Sequence, residues 1–115
     1  MSSHQESLDA LTAIPGVRGA MLTNRLDGIV VAESIMEDVE SGALAALATS
    51  LARRLETAAM AASGGTAGFL HLQATAGALF VSPAGPDLLL VVIGDKGVNV
   101  GRTRLEMTRV AEAVG

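Results

Sequence analysis

Apolar and polar positions change period several times along this chain, and each change marks an element. Residues 4–13 place Leu8 and Leu11 at helical spacing, with Ile14 following, and predict a short amphipathic helix. Pro15-Gly16 stops it, because proline disfavours helical geometry in the residue before it. Residues 17–23 and 29–34 are rich in β-branched and aliphatic side chains and read as two strands. The five residues between them, Asn24 to Gly28, end in the Asp-Gly pair that tight hairpins prefer.

From Asp38 to about Ala62 the pattern becomes one long helix, with Asp38 as its expected cap and Glu40 complementing the helix dipole. Leu44, Leu47, Leu51 and Leu55, continued by Ala58 and Ala62, form a stripe expected to face the sheet. A second stripe, Gly42, Ala46, Thr49, Arg53, Thr57 and Met60, is built largely from small residues. Solvated helix faces normally carry many charges. This one offers Arg53 near its centre and Glu56 at its edge. Small residues let another helix approach closely, so the long helix is expected to be buried on both sides, the second stripe against another chain.

Ser63-Gly64-Gly65 ends that helix. Residues 66–74 and 77–82 predict a second hairpin turning at Thr75-Ala76-Gly77, and Pro83 to Pro86 read as a loop. The run Leu88 to Ile93 has no alternation, as expected for a central strand covered on both faces. Gly94 to Gly97 is the next turn, and residues 99–114 form the last helix, with Asn99 a plausible cap and Leu105, Met107, Val110, Ala111 and Val114 as its apolar content. The order is helix, two strands, long helix, three strands, helix. That order predicts an α+β fold with an antiparallel sheet and helices on both faces.

Length and composition narrow the function. The 115 residues fit a single domain spanning 1–115. No run of about 18 apolar residues suggests a membrane span, and the first residues lack the basic start and apolar stretch of a signal peptide. Without cysteine there is no disulfide or thiolate chemistry, and a cytoplasmic home is expected. A formal charge of -4, two Phe and no Tyr or Trp argue against nucleic acid, which needs clustered cations and rings to stack on. Half the residues are apolar, many of them Ala, so apolar surface is left for a partner to cover.

Candidate chemistry is sparse. His4 and His71 are far apart, no Ser sits in a G-x-S-x-G setting, and no His pairs with Asp or Glu at metal-ligand spacing. The glycine-rich run from Gly94 to Gly101 ends in Arg102-Thr103 where a phosphate-binding loop needs Lys followed by Ser or Thr, so it reads as a turn and a helix start. Glu33, Glu37, Asp38 and Glu40 read as a solvated helix start, or as a match for a basic patch on a partner. Gly16, Gly19 and Gly28 each have a backbone explanation: a helix stop, a strand irregularity and a tight turn. Arg18 and Arg25 remain as surface charges, Arg25 at the hairpin tip being the more available.

The whole chain resembles the Roadblock/LC7 family. The opening from Leu11 to Ser34 is similar to that family's helix, x-G-V-x-G-A strand and D-G turn, and Gly77 to Val114 resembles its ending, so the likeness runs over about residues 8–114. It implies a profilin-like α/β/α sandwich: a five-stranded antiparallel sheet with one long helix on one face and the two terminal helices on the other. It implies no catalytic residue, and neither a metal nor a cofactor is expected. It also implies homodimers or heterodimers with the long helices packed together and the third strands joined. That adds Gly68, Leu70 and Leu72 to the dimer residues already found at Gly42, Ala46, Thr49, Arg53, Thr57 and Met60. Bacterial and archaeal members often work with a Ras-like small GTPase, and the Ala/Gly/Val/Arg-rich composition favours that prokaryotic kind. The expected function is a non-enzymatic scaffold binding such a GTPase through Thr49, Arg53, Arg54 and Arg25. The alternative is a structural adaptor in a sensor or motor complex without GTPase contact. A profilin-like small-molecule binder is disfavoured, since nothing polar converges on a pocket.

Overall fold

The structure, a computed structural model, describes residues 3–36, 38–65 and 68–114. Glu37 of the acidic set, and residues 66–67 at the expected start of the second hairpin, lie outside the described residues. The elements are α1 (Ser3–Thr12), β1 (Val17–Asn24), β2 (Val30–Ile35), α2 (Ser41–Ser63), β3 (Leu70–Gln73), β4 (Gly77–Ala84), β5 (Leu88–Asp95) and α3 (Val100–Val114). All strand pairs are antiparallel, in the order β2-β1-β5-β4-β3. Central β5 therefore joins the two hairpin systems, and β2 and β3 are the edges.

Alternation along each strand splits the core in two. Ala20 and Leu22 of β1, Phe80 of β4, and Leu90 and Val92 of β5 pack against Leu8 and Leu11 of α1 and Met107 and Val110 of α3. Met21, Val81, Leu89 and Val91 point the other way, onto Ala45 and Ala48 of α2. The unbroken apolar run of β5 thus serves both faces, as its lack of alternation implied. The fold is the expected one: one long helix on one face of the sheet, the terminal helices on the other.

Helix ends follow local chemistry. Gly64 takes φ 76° and returns its N–H to Met60 O, closing α2 with a left-handed cap. Asn99 Oδ1 accepts the Arg102 N–H at 2.9 Å, capping α3 as its position suggested. Asp38 does not cap α2. The helix begins three residues later, at Ser41 behind Glu40, whose side chain makes no cap hydrogen bond. Asp38 instead pairs with Arg18, tying the β2–α2 connection to β1. Pro83 and Ala84, expected in a loop, extend β4 opposite Leu89 and Leu88. Pro83 falls beyond the last β3 partner, at a free edge, where its missing N–H removes no ladder bond.

The long helix is rotated relative to the sequence expectation. Its sheet-facing seam is Ala45, Ala48, Thr49 and Ala52, with Leu44 and Leu55 half-buried beside it. Leu47 is 51% exposed, and Ala58 and Ala62 are exposed as well, so three of the residues expected against the sheet face away from it. Close approach explains the choice: small side chains let the helix backbone settle onto Met21, Leu89 and Val91, and leucines in the seam would hold it off.

The β2 edge is irregular. Its register against β1 shifts between Leu22 and Thr23, and Glu33 and Val31 are exposed along it.

Candidate partner-binding interface

The outward face of α2 carries Ala43, Ala46, Leu47, Ala58 and Ala61, all exposed. Its charged groups are Arg54 and, on the flank, Arg53. Met60 is 64% exposed on the same helix. An apolar, charge-poor face of this length makes the outward side of α2 the candidate interaction surface. Of the residues expected in a dimer contact, Gly42, Ala46, Arg53, Thr57 and Met60 are exposed along α2. Leu70 and Leu72 lie on edge strand β3, opposite Val81 and Leu79, and so share the α2 side of the sheet. Leu72 is 42% exposed, and Gly68 is exposed just before the strand. Thr49 is the exception. It is 6% exposed, and its hydroxyl donates to Ala45 O at 2.8 Å.

What buries Thr49 is the β1–β2 hairpin. Asn24 Oδ1 accepts the Leu26 and Asp27 N–H groups, Asp27 Oδ1 accepts that of Ile29, and Gly28 donates to Asn24 O. The turn therefore folds as its Asn and Asp-Gly residues dictate. Gly28 has φ 75°, and a Cβ there would stand 3.1 Å from Thr49 Oγ1. Glycine is required twice over, for its backbone and for its contact with α2. Arg53 then clamps the tip, donating to Leu26 O at 3.3 Å.

Clamping the hairpin opens a groove of about 190 Å³ lined by Arg25, Leu26, Thr49, Ala52, Arg53 and Glu56. Three of the four residues expected to contact a partner, Arg25, Thr49 and Arg53, thus meet in one place. Arg54 does not join them, since consecutive helical residues point about 100° apart. Two large apolar side chains at the hairpin, which the sequence reading did not single out, stand exposed beside the groove: Leu26 at 84% and Ile29 at 64%. Leu26 falls in the turn and Ile29 at the start of the second strand, and neither position by itself indicates exposure.

Replacing Gly28 by Ala is expected to cost about 1–2 kcal/mol from the left-handed backbone alone, with the Thr49 contact added. Gly42→Ala, with open space around its Cβ, is expected to be neutral or stabilising. Thermal unfolding of the two variants side by side checks the opposite signs.

Known proteins share this architecture. Residues 4–94 match the sequence profile of the Roadblock/LC7 domain. The match stops before α3, short of the sequence likeness read through to Val114. Over 104 residues the chain is 29% identical to an uncharacterised protein, MJ1340, of Methanocaldococcus jannaschii, covering 90% of each. It superposes with a TM-score of 0.87 on a Roadblock/LC7 domain from Streptomyces avermitilis, 23% identical, over 96% of this chain and 92% of that one. An MglB with a tetrameric arrangement gives 0.86 at 25% identity, over 99% and 89% of the two chains. Profilin II of Acanthamoeba castellanii, 17% identical, gives 0.64 over 96% and 95%, which shows the shared sandwich alone. With its residues 4–94 matching the domain profile, the chain belongs to the Roadblock/LC7 domain family.

Proposed function

We propose that this chain, as one Roadblock/LC7 domain over residues 1–115, forms a dimer that binds a Ras-like small GTPase and modulates its nucleotide cycle. The observation that carries the reading is the exposed, charge-poor face of α2, next to a groove holding two arginines. Two such helices packed together would cover their alanines and place both grooves at the rim of the shared surface. Arg25 and Arg53 then meet the partner, with Leu26 as the apolar contact between them. The domain acts as a regulator and not as a catalyst. A GTPase is accelerated by a partner that orients its switch residues or excludes water, with no catalytic group supplied.

The test is capture of the Ras-like GTPases of the source organism on immobilised protein, each loaded with GDP or with a non-hydrolysable GTP analogue. One GTPase is expected to bind, preferentially in its GTP form. Arg25→Glu combined with Arg53→Glu is expected to weaken that binding about tenfold or more, the scale of a lost charge-assisted contact. If no GTPase binds in either state, the reading fails and the domain is an adaptor.

A further inference from the structure

Between Glu56 and Asp87 the sequence holds no Asp, Glu, Lys or Arg, and His71 is the single residue there of a type whose charge changes near neutral pH. That stretch supplies the last turns of α2, all of β3 and all of β4. Edge strand β3 is therefore bare of the devices that usually protect an edge. It has no fixed charge, no proline and, against β4, no shift of register. The other edge, β2, has both a shifted register and an exposed Glu33. Hydrogen-bond parity decides what β3 offers to a neighbour. Ala74 donates to Gly77 O at 2.8 Å, and residues in an antiparallel ladder turn their main-chain groups alternately toward and away from the paired strand. Leu70, Leu72 and Ala74 thus face β4, while His71 and Gln73 present N–H and C=O to the open side. The side chains of those two residues lie on the face away from α2, joined by His71 Nε2 and Gln73 Oε1 at 3.1 Å. The His71 ring stacks on Phe80, and Arg104 of α3 sits over Phe69 on the same face.

We propose that His71 is a pH-responsive gate on self-association through β3: neutral, it lets two copies join their edges, and protonated, it drives them apart. The inference rests on the dimer of the functional proposal and adds a condition that governs it. With both α2 helices on one side, the register that engages both outward residues pairs His71 with Gln73 of the second copy, twice over. Each pair exchanges two N–H···O bonds. Leu72, 42% exposed in one copy, then meets Leu72 of the other on the α2 side. The two His71 side chains become diagonal neighbours about 7–8 Å apart. Protonation places like charges there, and the Arg104 of each copy adds to them. The other charged groups on this side are Glu112, which borders the Phe69 groove with Arg104, and Asp95 and Lys96, beside Thr75 and Ala76 of the β3–β4 turn. Among the described residues no carboxylate bonds to His71, and β4 carries none. His71 thus does conditionally what a fixed charge does on other edge strands.

The test is the dissociation constant of the dimer, from sedimentation equilibrium at pH 7.5 and pH 5.5 and one ionic strength. The parent is expected to associate about fivefold or more weakly at the lower pH. His71→Gln is expected to hold the same affinity at both, and His71→Lys to stay weak at both. His4→Gln, changed at the other histidine, is expected to keep the parent's response. Circular dichroism is expected to give all three the parent's helix content. Leu72→Cys, in a chain with no other cysteine, is expected to cross-link its dimer in air. A dimer equally tight at both pH values overturns the gate and leaves the dimer standing. So does a His71→Gln dimer as acid-sensitive as the parent. A Leu72→Cys dimer that forms no cross-link overturns the register, and the gate with it. A parent monomeric at both pH values overturns the dimer reading and the gate together.

Discussion

Replacing Ala46 by glutamate is expected to turn a dimer into a monomer in multi-angle light scattering at micromolar protein. Ala46 is exposed on the outward side of α2, so the substitution disturbs nothing inside the protomer. In a packed pair of helices the same glutamate would be an unpaired charge in an apolar contact. Leaving a buried charge without a partner costs about 3–5 kcal/mol, enough to move the dissociation constant by about a hundredfold or more. Circular dichroism should show the same helix content as the parent. A parent protein that is monomeric at micromolar concentration, or an Ala46→Glu variant that stays dimeric, would remove the paired-helix face from the functional proposal.

Phe80→Ala is expected to do the reverse, damaging the fold without touching the α2 face. Phe80 is fully buried in β4 between Val92 and His71, and the His71 ring stacks on it at 4.7 Å and 7°. Phe69 lies 6.1 Å away on the same side. These are the two phenylalanines of the sequence, so an alanine-rich core draws an unusual share of its volume from one ring. Truncation removes apolar burial and leaves a cavity, at a cost of about 3–5 kcal/mol. For a domain of this size that lowers the melting temperature by about 10 °C or more. Phe80→Leu, which keeps most of the volume, should lose far less. A Phe80→Ala variant melting within a few degrees of the parent would show that the neighbours collapse into the space.

These two variants also mark which parts of the molecule a linear reading reaches. Strand β5 was legible because the apolar run Leu88 to Ile93 is too short for a buried helix, is bounded by turn residues and lacks alternation, which fits a strand buried on both faces. The caps at Gly64 and Asn99 were legible because their chemistry is local. The rotation of α2 was not. Its leucine stripe and its alanine stripe are both apolar, and the choice between them is made by distant residues: Gly28, which admits Thr49, and the sheet positions Met21, Leu89 and Val91. Choosing the larger side chains as the buried ones misplaced Leu47. The same non-local logic hid the arginine groove. Arg25 and Arg53 are 28 residues apart, and they meet because Arg53 holds the carbonyl of Leu26. A hairpin at Asn24–Gly28 and a long helix after Asp38 follow from local pattern; the docking of one on the other follows from neither.

The irregular β2 edge bears on how far any assembly can grow. An open strand invites another strand to add, and a shifted register with an outward glutamate discourages it. If two copies join through β3, the combined sheet ends on a β2 strand at both sides. Neither end is a good template for the next copy. Raising the concentration would then fill pairs without lengthening filaments, and the measured mass should level off instead of climbing.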